Sequence, residues 1–171
     1  RRAFLAAYGP GVVMLVIAYV FFTAVRDFRD NFAAEIWAGL GYKDVASVFT
    51  ASEAPVAVIA LAALAATMVI KDNQRALIAL LGVVALGAAL LGLSTLAFQA
   101  GLLSPIAWMI ASGAGLYMAY TPFNAMLFDR MIAATGQVGT AGFLIYLADA
   151  SGYLGSVALL LIKTFMSLQL D

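Results

Sequence analysis

Residues 76–128 read ALIALLGVVALGAALLGLSTLAFQAGLLSPIAWMIASGAGLYMAYTPFNAMLF, and none of these 53 positions is charged. A single helix of that length would reach roughly 80 Å, while a bilayer core is about 30 Å thick. The stretch must therefore turn back on itself. Gly101-Leu102-Leu103-Ser104-Pro105 supplies the break, because Ser104 can cap a helix and Pro105 suits its first turn. Two membrane-crossing helices follow from this reading, at about 76–98 and 104–128.

Charges punctuate the rest of the chain. Between Arg2 and Arg26 lie 23 uncharged residues, roughly 34 Å of helix. They form a first span, about 5–25. No Gly or Pro follows until Gly39 and Gly41, so the helix is predicted to continue to about 38. A second span runs about 48–70, and Glu53 and Pro55 look like its N-terminus, where a carboxylate favours the helix dipole. A fifth runs about 138–162. Strand-like alternation is absent. The fold class is all-α: a polytopic helical membrane protein with five transmembrane helices in one domain spanning 1–171.

Composition agrees. Hydrophobic residues make up 65% and charged residues 11%, against about 25% charged in soluble domains. Nine basic residues balance nine acidic ones, so there is no basic face for nucleic acid. Neither His nor Cys occurs. That leaves no ordinary ligand set for zinc, copper, haem or iron–sulfur, and no Ser-His-Asp or Cys-His nucleophile. No cofactor, metal or catalytic residue is expected, and the chain does not read as an enzyme. The chain starts at Arg1, ahead of a hydrophobic stretch too long for a signal-peptide core, and reads as a fragment or processed product of a longer protein.

Five spans put the termini on opposite sides. With the N-terminus cytoplasmic, Arg1, Arg2, Lys71, Arg75 and Arg130 lie inside, against Arg26, Arg29, Lys43 and Lys163 outside. The positive-inside rule favours that orientation by five to four.

Three polar groups could carry function. Asp149 stands in an otherwise uncharged stretch, near the midplane of the fifth span. An ionised carboxylate there costs roughly 2.5–3.5 kcal/mol even on the insertion scale, and such residues face a bundle interior or a water-filled cavity. Gly142, Tyr146, Asp149, Tyr153 and Ser156 form a polar stripe on that helix, opposite an apolar face of Phe143, Leu147, Ala150, Leu154 and Ala158. Tyr19, Thr23, Arg26, Asp30, Ala33 and Trp37 share a face of the first helix. On it Arg26 and Asp30 can pair at i,i+4, with Arg29 close by. Either this segment lines a cavity mouth, or it is a solvated helix end with Trp37 and Tyr42 as interface anchors. In the fourth span Tyr117, Tyr120 and Asn124 share a face around Pro122, where a kink is expected. Candidate contacts for Asp149 are Tyr146, Tyr153, Tyr117, Tyr120, Asn124, Arg26 and Arg29. Gly113 and Gly115, and the pair Gly152 and Ser156, offer close helix approaches; Gly82, Gly87 and Gly92 form no single stripe.

Three strings are more specific than these patterns: RDFRDNFAAEIW at 26–37, TPFNAMLFDR at 121–130 and GFLIYLADASGYLGS at 142–156. They resemble the C-terminal half of a bacterial family of the major facilitator superfamily, with similarity from about Leu5 to Phe165. The resemblance implies that the five spans correspond to helices seven to eleven of a twelve-helix, major-facilitator-like bundle in the bacterial inner membrane. An N-terminal half and a final helix of the same protein would then be its partners, beside the lipid bilayer. It assigns no role to a residue. Lys71-Asp72-Asn73-Gln74-Arg75 departs from the superfamily's cytoplasmic loop, lacking its Gly and the basic residue directly after the Asp. The reading is half of a secondary active transporter that moves a small polar solute or a proton by alternating access. The competing reading is a membrane sensor or assembly subunit in which the buried charges are structural.

Overall fold

The computed structural model describes residues 2–136 and 141–165, with side chains from Tyr8 onward except those of residues 141 and 164. Six α-helices and no strand occur among the described residues. They are α1 (Arg2–Gly39), α2 (Val45–Met68), α3 (Asn73–Gln99), α4 (Pro105–Pro122), α5 (Phe128–Thr135) and α6 (Ala141–Phe165). A π-type stretch, Phe123–Leu127, joins α4 to α5 without a break. Helices α1, α2, α3 and α6 each contain a segment long and apolar enough to cross a membrane, and α4, the π-turn and α5 together make the fifth rod. The chain is a helical integral membrane protein.

The ends of the helices follow local chemistry. Asp44 caps α2 by accepting from the Ser47 amide at 3.3 Å. Hydrogen bonds from Ser47 hold the Asp44 carboxyl below the usual carboxylate range. Asp72 caps α3 through the Arg75 amide at 2.8 Å, and Ser104 caps α4 through the Ala107 amide, with Pro105 at the first turn as the sequence predicts. Gly136, at φ 69°, closes α5 in the left-handed conformation that Gly adopts without strain.

Helix α1 runs unbroken through 26–38, as the lack of breakers predicts. Two boundaries differ from the sequence reading. The second helix begins at Val45 under the Asp44 cap, so Glu53 and Pro55 lie well inside it rather than at its N-terminus. The fourth pass does not end at 128 but continues through the π-turn to Thr135. Pro122 has no amide hydrogen for the Met118 carbonyl, and the wider π-turn follows directly. The predicted start of the fifth span at 138 lies outside the described residues.

Packing is tightest where glycines let backbones meet. A Cβ on Gly87 would sit 2.5 Å from the Gly115 carbonyl oxygen, and one on Gly115 would sit 2.6 Å from the Leu91 nitrogen. α3 and α4 therefore cross in backbone contact there. Gly82 and Gly92 meet nothing. Tyr19, Phe22, Leu116, Phe123, Phe128 and Leu144 anchor the central core. Met14, Leu86, Leu96 and Leu154 are largely exposed, as suits lipid or further helices.

Candidate functional site

α6 packs on α1, with Gly152 and Gly155 against it, and Leu144, Ala148, Gly152 and Ser156 are its buried positions. This face is offset from the predicted polar stripe. Size decides it: a Cβ at Gly152 would lie 2.9 Å from the Tyr19 ring and 3.2 Å from the Thr23 hydroxyl. Gly152 thus lets a tyrosine and a threonine of α1 seat beside Asp149. The Tyr19 hydroxyl lies 2.8 Å from Asp149 Oδ1 and 2.9 Å from Asn124 Oδ1. It has one proton, so it donates to one of them at a time.

Above this point Tyr19 stacks on Tyr120, with ring centroids 5.6 Å apart. The Arg26 guanidinium lies over the Tyr120 ring at 4.6 Å and donates to its hydroxyl. Its Nε and Nη2 donate to Asp27. The expected Arg26–Asp30 pair does not form. Asp30 instead accepts from the Tyr117 hydroxyl at 3.0 Å. Tyr19, Thr23, Arg26, Tyr120, Asn124, Asp149 and Tyr153 surround a polar cavity of about 240 Å³ between α1, the fourth pass and α6. Larger grooves on the molecule are apolar.

Arg29 has a separate role. It is 7% exposed and reaches α2, donating from Nη2 to Glu53 Oε1 at 2.6 Å and from Nη1 to Oε2 at 3.1 Å. A two-point fork of this kind fixes direction as well as charge. Gly113 makes the room, since a Cβ there would sit 2.7 Å from Arg29 Nη2. Trp37 is wholly buried against Tyr42, so it is a packing residue rather than an anchor at the lipid headgroups.

The structure thus brings Asp149, Arg26, Tyr120 and Asn124 to one cavity, with Tyr153 at its exposed rim. Asp30 and Tyr117 form a neighbouring pair. Arg29 belongs to the Glu53 bridge, and Tyr146 is 77% exposed and does not line the cavity. Sequence reasoning missed Tyr19 and Thr23 as site residues, although both share the Arg26 face. Thr23 Oγ1 is buried without a hydrogen-bond partner. No cluster of carboxylates suited to a metal occurs among the described residues.

The fold and this cavity define the class: a helical integral membrane protein with a polar, carboxylate-bearing chamber among its transmembrane helices. The chain belongs to the family of unknown function DUF5690, whose model matches residues 1–171. Among curated proteins and solved structures nothing matches it.

Proposed function

We propose that this chain is part of a secondary active transporter of the major-facilitator type. Its five passes would line one side of a path for a small polar solute or a proton in a bacterial inner membrane, with the N-terminus cytoplasmic. The remaining helices would complete the path, and alternating access would come from rocking against them.

The observation that carries this reading is the 240 Å³ polar cavity with Asp149 in its wall. Transmembrane bundles gain nothing from such a chamber by packing alone, since polar groups in a membrane are costly and concentrate on solute and proton paths. The π-turn beside it supports the same reading, because π-turns recur at functional sites.

The test is uptake by the full-length protein in proteoliposomes, across a panel of polar solutes and with an imposed proton gradient. Asp149→Asn keeps the shape and removes the charge. The expected result is a folded, inserted variant that no longer accumulates solute against a gradient. Wild-type accumulation by that variant would take Asp149 out of the mechanism. A protein that moves no solute, and whose Asn variant is only less stable, would favour the structural reading of a sensor or assembly subunit.

A further inference from the structure

Among the described residues one cation and one carboxylate line the cavity, and the adjoining residues add more carboxylates than cations. Arg26 is the one cation in its wall, and its guanidinium is already engaged by Asp27 and the Tyr120 hydroxyl. Arg29, on the next turn of α1, is taken up by Glu53. Asp30 receives the Tyr117 hydroxyl, and Asp149 receives at most the Tyr19 hydroxyl. With these neighbours counted, two guanidinium groups stand against four carboxylates, Asp27, Asp30, Glu53 and Asp149, of which Asp149 alone lines the cavity. Lys163 is bound to Glu35 and does not line the cavity.

The cavity also has unused acceptors. Asp149 Oδ1 meets Tyr19, and no hydrogen bond to its Oδ2 occurs among the described residues. Thr23 lines the same cavity, and its buried Oγ1 is unpartnered. Tyr153 presents an aromatic ring at the rim. Unpaired carboxylate, orphan hydroxyl and aromatic surface together suit a positive group. The volume equals that of about eight waters at ~30 Å³ each, more than a bare metal ion fills.

Resting on the transport reading above, we propose that the cavity takes a small organic cation, an amine whose ammonium group sits on Asp149. The Thr23 hydroxyl accepts a second hydrogen bond from it, and Tyr153 covers it from the rim.

The experiment is calorimetric titration of the intact protein in nanodiscs, in potassium phosphate buffer. The probes are ethylammonium chloride, tetramethylammonium chloride, sodium chloride and potassium acetate. The expected result is saturable binding of an ammonium probe, weakened at least tenfold by Asp149→Asn and several-fold by Thr23→Val. Acetate and sodium should give no comparable heat. Acetate binding, sodium binding alone, no ammonium binding, or ammonium binding indifferent to Asp149→Asn would each overturn the proposal.

A second measurement keeps the test sound if a variant folds poorly. This chain contributes no cysteine, so Tyr153→Cys places a single thiol at the rim. A cationic methanethiosulfonate should modify it at least tenfold faster than an anionic one; equal rates, or a faster anionic reagent, would contradict an electronegative cavity. Ammonium binding without flux in proteoliposomes would sink the transport reading and keep this one. Flux of an acidic solute with no ammonium binding would do the reverse.

Discussion

The Tyr19 hydroxyl stands 2.8 Å from Asp149 Oδ1 and joins the first pass to the last across 130 residues of sequence. Because the same hydroxyl also reaches Asn124 at 2.9 Å, one atom organises three passes. Tyr19 is 3% exposed, while Asp149 and Asn124 line the polar cavity, where water can replace part of the lost bond. Tyr19→Phe should keep the ring stack on Tyr120 while leaving Asp149 and Asn124 without that partner. A net hydrogen bond contributes about 0.5–1.5 kcal/mol, and a loss of that size is expected in denaturation of the micelle-bound protein. A stability equal to wild type would mean that the contact is incidental.

The Arg29–Glu53 bridge predicts a characteristic pattern in paired substitutions. Breaking a buried ion pair from one side costs about 3–5 kcal/mol, because the other charge is stranded, whereas replacing both partners by apolar residues is often neutral. Glu53 keeps about a quarter of its side chain exposed, so the lower end applies. Arg29→Met should therefore cost roughly 3 kcal/mol, and Arg29→Met with Glu53→Met should recover most of it. Additive losses in a double-mutant cycle would show that the two charges do not act as a pair.

The helices were legible because the signals for them are local. Charge spacing marks each span, Ser104-Pro105 marks a start, and the lack of breakers carries α1 past the bilayer core. Partners were less legible. Glu53 read as a dipole group because its sequence neighbourhood favours that, while its counter-ion lies 24 residues away on another helix. The sequence marks Asp149 as needing a partner and offers Tyr146, Tyr153, Tyr117, Tyr120, Asn124, Arg26 and Arg29, but not Tyr19, which donates to it. In a membrane both lipid and neighbouring helices are apolar, so small residues rather than polarity select the contact face. Gly152 does so here, and it brings in Tyr19.

Gly87 and its relatives Gly82 and Gly92 form an internal control. Alanine at 87 would put a methyl 2.5 Å from the Gly115 oxygen and 2.6 Å from the Ala119 nitrogen, both backbone atoms that cannot turn aside. Overpacking of this kind costs about 1–3 kcal/mol. At 82 and 92 nothing lies within 4 Å, and Gly→Ala in a helix favours the fold by roughly 0.5–1 kcal/mol. Thermal melts should rank Gly87→Ala below wild type and the other two at or above it. Equal shifts at all three positions would deny the α3–α4 contact a special role.

Pro122→Ala sets backbone regularity against packing. Alanine restores an amide, which lets the helix close a regular bond to the Met118 carbonyl. Removing a proline from a helix interior is worth up to about 3 kcal/mol. Yet resolving the π-turn would rotate everything beyond it by about 100°, one residue's turn of an α-helix. Leu127, Phe128, Met131 and Ile132, all buried, would leave the core, and each would give up its close packing against neighbouring helices, the term that holds membrane helices together. That shared loss of packing opposes the backbone gain. The π-turn should therefore survive in Pro122→Ala, with Asn124 still beside Tyr19 and stability changed by less than about 1 kcal/mol. A structure of the variant in nanodiscs decides it. A regular α-helix through 118–135, with Asn124 turned away from Tyr19, would show that the proline and not the core holds the site in register.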